Sequence, residues 1–287
     1  MIKCIAIDMD GTLMSSAQEL TKENIEAIKK AQAQGVEVVI ATGRSHEEAG
    51  YVLEEAGIQC PFILVNGAEV RSSTGEILIT NPLNKDTAKK IEQILVENGL
   101  YEQMYTNKGV HTTDKDKGIA TFVDIAMSAN PEVDRDVVEE EVINTFGKFL
   151  QEVESYQFIY EDHEIEVYKQ LAFSFDIRLL AQVSESLKKM DGLAISSSGH
   201  ENIEITSAYA QKGIALEKFV AERGISLEET MAIGDNYNDI SMFERVGRAV
   251  AMGNADDTIK SYCQFVTASN NESGVAKAIL EALNMNK

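Results

Sequence analysis

The sequence predicts an α/β protein, a doubly wound parallel sheet interrupted by an inserted α+β module. Three observations carry that prediction. Apolar runs of strand length alternate with amphipathic, helix-length segments at both ends of the 287-residue chain, which is the grammar of a parallel sheet flanked by helices. Between residues 82 and 206 the pattern changes to helices mixed with aromatic strands. Two apolar runs, 2–7 and 231–233, end in acidic clusters, and open α/β sheets bind ligands beyond the carboxyl ends of their strands.

Taken in order, a strand over 2–8 is followed by a helix from Thr21, with Ile25, Ile28 and Ala31 on one face and Gly35 closing it. A second strand spans 36–41. Ser45-His46-Glu47-Glu48 has the form of a capping box and opens a helix that ends at Gly57, before a third strand at 62–65. A hairpin then joins 68–70 to 77–79 through Ser72-Ser73-Thr74-Gly75, and Asn81-Pro82 breaks the pattern.

The inserted stretch starts with a helix over 86–98, ended by Gly99. Aromatic strands are predicted near 101–106 and 156–160, then a strand–helix–strand unit through Phe173, Leu180, Leu187 and Ile195. Its acidic run from Glu132 to Glu166, in which Arg135, Lys148 and Lys169 are far outnumbered, reads as a solvated face. After 206 the alternation resumes with helix 211–223, strand 231–233, helix 238–246, strand 248–252, helix 255–262, strand 264–267 and helix 274–283. The expected organisation is thus one discontinuous domain, 1–81 with 207–287, carrying a second domain at 82–206, with the crossings as hinge candidates.

Composition narrows the partners. A formal net charge of −21 opposes binding to nucleic-acid backbone or to an anionic membrane. No apolar stretch approaches the roughly 18 residues of a membrane span, and no leader pattern opens the chain, so a cytoplasmic protein is expected. Cys4, Cys60 and Cys263 are far apart and fit no metal-ligand spacing, which suits reduced structural thiols.

The chemistry concentrates at the strand ends. Asp8 and Asp10 lie two positions apart in Asp8-Met9-Asp10-Gly11-Thr12, and residues i and i+2 of extended chain share a face. Asp, Gly and Thr are also ordinary turn residues, but Gly234-Asp235-Asn236-Tyr237-Asn238-Asp239 supplies a second acidic strand end, and the two suggest one shared cation. A carboxylate at Asp8 could attack phosphorus directly while Asp10 moves the protons. Mg²⁺ prefers hard oxygen ligands and would hold nucleophile and phosphate together, with Asp235 as a further ligand. Thr42-Gly43-Arg44 offers a hydroxyl, backbone N–H groups and a guanidinium just before a helix start, where anions bind, although Arg44 equally suits a surface ion pair. Lys212 opens a helix, where a cation is slightly disfavoured, and could neutralise a transferring phosphoryl group. N-capping is the ordinary role for Asn238 and Asp239.

These four elements, in order, resemble the motifs of the haloacid dehalogenase superfamily and, within it, the Cof-type phosphatases. The resemblance extends over nearly the whole chain and includes Asn66-Gly67-Ala68 after the third strand. It implies a Rossmann-like core with an inserted cap, and a Mg²⁺-dependent phosphatase acting through an aspartyl phosphate. By resemblance Asp8 is the nucleophile and Asp10 the acid/base. Asp8, the Asp10 carbonyl and Asp235 are the metal ligands, while Met9, Thr42, Gly43, Lys212 and Asn238 hold phosphate. Thr12, Arg44, Asn66 and Asp239 support them, Asp239 by orienting Lys212 or a metal-bound water.

In that branch the cap closes over the phosphate, so substrate choice would lie in residues 82–206. The polar segment Ser196-Ser197-Ser198-Gly199-His200-Glu201-Asn202 is a candidate there, with turn chemistry as the plain alternative, and His111 and His163 carry the same ambiguity. So few cations in the insert favour a neutral, hydroxyl-rich leaving group, hence a small phosphate ester such as a sugar phosphate, handled by a monomer or weak homodimer. The competing readings are a phosphomutase, a phosphosugar-binding regulator with little turnover, and a receiver domain, the last disfavoured by length and by the insert.

Overall fold

The computed structural model describes residues 1–129, 132–197 and 199–285. The chain divides into two compact units, one of residues Met1–Asn81 with Tyr209–Lys287 and one of Pro82–Ala208.

The first unit runs β1 (Cys4–Ile7), α1 (Lys22–Ala33), β2 (Glu37–Ala41), α2 (His46–Glu55), β3 (Phe62–Leu64), β4 (Glu69–Arg71) and β5 (Ile77–Thr80). The second holds α3 (Lys85–Glu97), β6 (Tyr101–Thr106), β7 (Gly109–Thr112), α4 (Lys115–Ala129), α5 (Arg135–Val142), β8 (Leu150–Glu152), α6 (Gln157–Glu161), β9 (Val167–Phe173), α7 (Ile177–Leu187), β10 (Leu193–Ser196) and β11 (Asn202–Ser207). The chain then re-enters the first unit as α8 (Lys212–Ala221), β12 (Thr230–Gly234), α9 (Ile240–Phe243), β13 (Arg248–Ala251), α10 (Asp257–Lys260), β14 (Phe265–Val266) and α11 (Gly274–Met285).

The first unit is built on a sheet of order β14-β13-β12-β1-β2-β3-β4-β5. It is parallel from β14 to β3 and ends in the antiparallel β3-β4-β5 meander. The strands of a sheet covered on both faces are apolar throughout, and Cys4, Ile5, Ala6 and Ile7 are all fully buried. From β1 the order proceeds to β2 and β3 on one side and to β12, β13 and β14 on the other, so the switch point of the sheet lies between β1 and β12. Ile7 pairs with Ile233, which sets the next residues, Asp8 and Gly234, side by side. Caps close the helices as expected: Thr21 and Ser45 accept from the backbone of Asn24 and Glu48, and Glu48 returns the bond to Ser45 N at 2.7 Å.

The second unit has a six-stranded sheet of order β10-β11-β9-β6-β7-β8, antiparallel except for β7 with β8. Ile91 and Leu95 of α3 and Leu180 and Leu187 of α7 pack with Ala172, Ile203 and Ile205 of the strands.

Several expectations need correction here. The aromatic segment at 156–160 is not a strand; Gln157–Glu161 is α6. Tyr156 and Ile159 are the buried residues, and their spacing of three is helical rather than alternating. The stretch between the predicted strands, read only as charge, contains β7, α4, α5 and β8. Its acidic side chains are largely exposed, but Lys169 departs from a solvated face. It is only 2% exposed, held by Glu204 at 3.1 Å and set 4.2 Å over the Tyr105 ring. His111 is buried, while His163 and His200 are exposed. Ser198 lies outside the described residues.

Candidate active site

Asp8 leaves β1 at the switch point with its side chain buried, and the chain turns through Met9–Leu13. Gly11 makes that turn possible twice over. Its φ is +75°, and a Cβ on it would strike the Asp235 carboxylate.

Lys212 is the first residue of α8 and is wholly buried, with Nζ 2.6 Å from Asp8 Oδ1 and 2.7 Å from Asp239 Oδ1. Burial alone would strip this ammonium of its proton, but the Asp239 and Asp8 carboxylates outweigh it and hold the group charged, with its pKa raised. Gly213 brings the helix start in close. A Cβ there would overlap the Ser241 carbonyl, and Gly213 N donates to Ser241 Oγ at 3.0 Å.

Asp235 follows β12 and accepts from Thr12 Oγ1 at 2.8 Å. Asp239 turns back to accept from Asp235 N at 3.0 Å and Asn236 N at 3.1 Å through Oδ2. One carboxylate oxygen each of Asp8, Asp235 and Asp239 lies within 4.8 Å of the others. Burial first, then repulsion from Asp239, raises the proton affinity of Asp8 well above the ordinary range and that of Asp235 to about 6. One ammonium among three carboxylates leaves an excess of negative charge, and a hard divalent cation is the partner that an all-oxygen cluster suits.

Asp10 sits two residues on, and its carboxylate pairs with Arg44 instead of joining this cluster. Arg44 grips it with a fork, Nε to Oδ2 at 2.9 Å and Nη2 to Oδ1 at 2.6 Å. Thr42 is fully buried at the end of β2, and its Oγ1 accepts from Arg44 N at 3.1 Å. Gly43 lies between them in the turn. Asn66, in the left-handed region at φ 57°, donates its backbone N–H to Thr42 O at 3.0 Å, and Asn238 Nδ2 reaches Asn66 Oδ1 at 3.1 Å. Met9 has a side chain buried in the core, so only its backbone can meet a ligand.

The structure therefore brings Asp8, Lys212, Asp235, Asp239 and Thr12 into one cluster, and joins Thr42, Arg44, Asn66, Asn238 and the Asp10 side chain beside it. Sequence reasoning missed Asn254, whose Nδ2 donates to Gly11 O at 2.8 Å. It follows β13, so a search of every carboxyl end along the parallel sheet would have found it. Gln18 was also missed; no local signal marks it.

A family model described as haloacid dehalogenase-like hydrolase matches residues 5–279. The chain belongs to that family. It is 36% identical to phosphatase YwpJ of Bacillus subtilis over 279 residues, 96% of this chain and 98% of the relative. It is also 36% identical to 5-amino-6-(5-phospho-D-ribitylamino)uracil phosphatase YwtE of the same organism, covering 98% of both chains. A solved haloacid dehalogenase-like hydrolase from B. subtilis superposes with a TM-score of 0.89 at 35% identity, covering 97% of this chain and 99% of the other. The haloacid dehalogenase-like hydrolase described here is a phosphatase with a Rossmann-like core. No helix among its described residues is long and apolar enough to cross a membrane.

Proposed function

We propose that this enzyme hydrolyses small phosphomonoesters with Mg²⁺, through a phosphorylated Asp8. The observation that carries the reading is the buried Lys212 ammonium, bonded at once to Asp8 and Asp239 at the switch point of the sheet. A buried ammonium stays charged only where hydrogen-bonded carboxylates compensate it, and here one of them is the proposed nucleophile.

Asp8 attacks phosphorus with a carboxylate oxygen, and the bond from phosphorus to the leaving oxygen breaks. Asp10 gives its proton to that oxygen, then takes one from the water whose attack on phosphorus releases phosphate and restores the Asp8 carboxylate. Lys212 balances charge on Asp8 and on the phosphoryl group, and Asp239 holds Lys212 in place. Thr42, the Gly43 and Met9 backbone and Asn238 surround the phosphate. Exchanging the orientations of the Asn66 and Asn238 amides keeps a bond between them, now accepted by Asn238 Oδ1, and turns Asn238 Nδ2 to the position where Oδ1 lies buried without a partner, as a donor for phosphate. The excess negative charge fits Mg²⁺ on Asp8, Asp235 and the Asp10 carbonyl, where it would hold nucleophile and phosphate together despite their like charges.

For the leaving group we favour a hydroxyl-rich, uncharged moiety. YwtE acts on a phosphorylated ribityl compound, and Lys169, a cation of the insert, is already matched by Glu204. Incubation with a panel of phosphomonoesters and Mg²⁺ tests this: sugar and polyol phosphates should release phosphate fastest, and a preference for nucleoside polyphosphates would reverse the assignment. Asp8→Asn should release no phosphate and trap no phosphoenzyme, and a chelator should silence the wild type reversibly. Wild-type turnover by Asp8→Asn would sink the mechanism.

A further inference from the structure

Arg44 presents three N–H groups in this site, and only two of them reach Asp10. The second N–H of Nη2 donates to Gln18 Oε1 at 2.8 Å. Gln18 is an exposed residue on the loop between β1 and α1, outside the sequence motifs, and its backbone is in the left-handed region at φ 58°. That conformation is unfavourable for a residue with a side chain and persists only where surroundings fix it.

The surroundings do fix it. Gln18 N donates to Ser15 O at 3.0 Å, and Ser15 N to Glu19 O at 2.9 Å, so the loop closes on itself. Met14 bridges to Leu20 across its base. Its tip is tied to the segment before α11, where Ser16 N donates to Asn271 Oδ1 at 2.9 Å and Asn271 Nδ2 to Ser16 Oγ at 3.0 Å. A strained, doubly anchored loop thus delivers one amide oxygen to one guanidinium N–H.

We propose that Gln18 is a positioning residue for the proton-transfer step, acting on Asp10 through Arg44. A guanidinium is planar, so fixing one end of Nη2 fixes the plane in which Nε and the other Nη2 N–H meet the Asp10 carboxylate. Without the Gln18 acceptor the fork can rotate, and the Asp10 carboxyl group is no longer held in one orientation for proton transfer. Proton delivery is geometry-limited before it is anything else. The inference rests on the acid/base reading of Asp10 given above.

Leaving-group dependence tests it. An alkoxide leaving group needs the proton, whereas p-nitrophenolate departs as a stable anion. Gln18→Met keeps the shape of the side chain and removes the acceptor; Gln18→Glu keeps an acceptor. For glycerol phosphate, Gln18→Met should lower kcat/KM, which reports the steps up to departure of the leaving group and not the phosphoenzyme hydrolysis common to both esters, about threefold to tenfold, the span that one hydrogen bond carries. For p-nitrophenyl phosphate, kcat/KM should change less than about twofold by the same reasoning. Gln18→Glu should keep the wild-type ratio between the two esters. Equal losses on both esters with Gln18→Met would mean a merely structural loop, and no loss on either would mean an idle contact; each overturns the proposal. Asp10→Asn is the control. Its kcat/KM should fall at least about 100-fold on glycerol phosphate and far less on the activated ester. If it does not discriminate, the reading of Asp10 fails; if it does and Gln18→Met does not, only the role of Gln18 fails.

Discussion

Lys212 keeps its charge inside the protein because carboxylates flank its ammonium at 2.6 and 2.7 Å, whereas Glu102 in β6 is held by an amide, Gln170 Nε2, at 3.3 Å. Burial, then repulsion from Glu92, pushes the Glu102 carboxyl up to about 8 from an ordinary 4.5. Folded protein therefore retains a proton between those pH values that unfolded chain has released. The stabilisation is complete below the ordinary carboxylate range and is lost as pH rises through about 8. Its slope in that window is at most ~1.4 kcal/mol per pH unit. Urea midpoints at pH values across the window should fall with rising pH for the wild type and fall less for Glu102→Gln; parallel declines would show that Glu102 is not the titrating group. Nothing in the sequence around Tyr101-Glu102-Gln103 distinguishes this carboxylate from the many exposed ones, because its environment is made by strands far along the chain.

At the scale of elements, the start of α8 decides where Lys212 points. Gly213 lets that turn lie against the Ser241 carbonyl of α9, and any Cβ would force the two helices apart. Gly213→Ala is expected to destabilise the enzyme by about 1–3 kcal/mol, the range of overpacking in a rigid core, and to reduce kcat more than KM because Lys212 is displaced from Asp8. Thermal melting and steady-state kinetics on one preparation check both; a stable, fully active variant would contradict the packing argument. The helix itself is legible in the apolar residues Ile214, Phe219 and Val220. The need for glycine was not, since only the approach of α9 creates it. The segment at 156–161 shows the converse failure: aromatic residues suggested a strand, and burial of Tyr156 with Ile159 selected a helix.

For the whole molecule, the insert has cores of its own. One joins Ile91, Leu95, Leu180, Leu187, Ile203 and Ile205; another joins Leu83, Ala88, Met104, Tyr156, Ile159 and Val167. Both of its ends are tied within it, Leu83 N to Val167 O at 2.7 Å and Ala208 N to Gly192 O at 2.8 Å. A chain of that size with its own cores is expected to fold independently. Residues 82–208, expressed alone, should unfold cooperatively in urea with dispersed amide resonances; a collapsed, non-cooperative product would show that the remainder of the chain is required.

Strand ends, capped helices, the interruption near Asn81-Pro82 and the acidic residues at Asp8 and Asp235 are legible in the chain, because each follows from local backbone preference or short-range periodicity. Which of these meet is a matter of how the strands pair and the helices pack. β1 pairs with β12 across more than half the chain, and that register sets Asp8 beside Gly234 and close to Asp235. The same applies to Lys169, which looks like a surface cation in the sequence and is buried because Tyr105 and Thr206 flank it across β9. It applies to Gln18 too, whose role depends on an arginine arriving from another strand. Local preferences are settled within a few residues, but contacts between strand ends depend on sheet order and helix packing, which no short window of sequence contains.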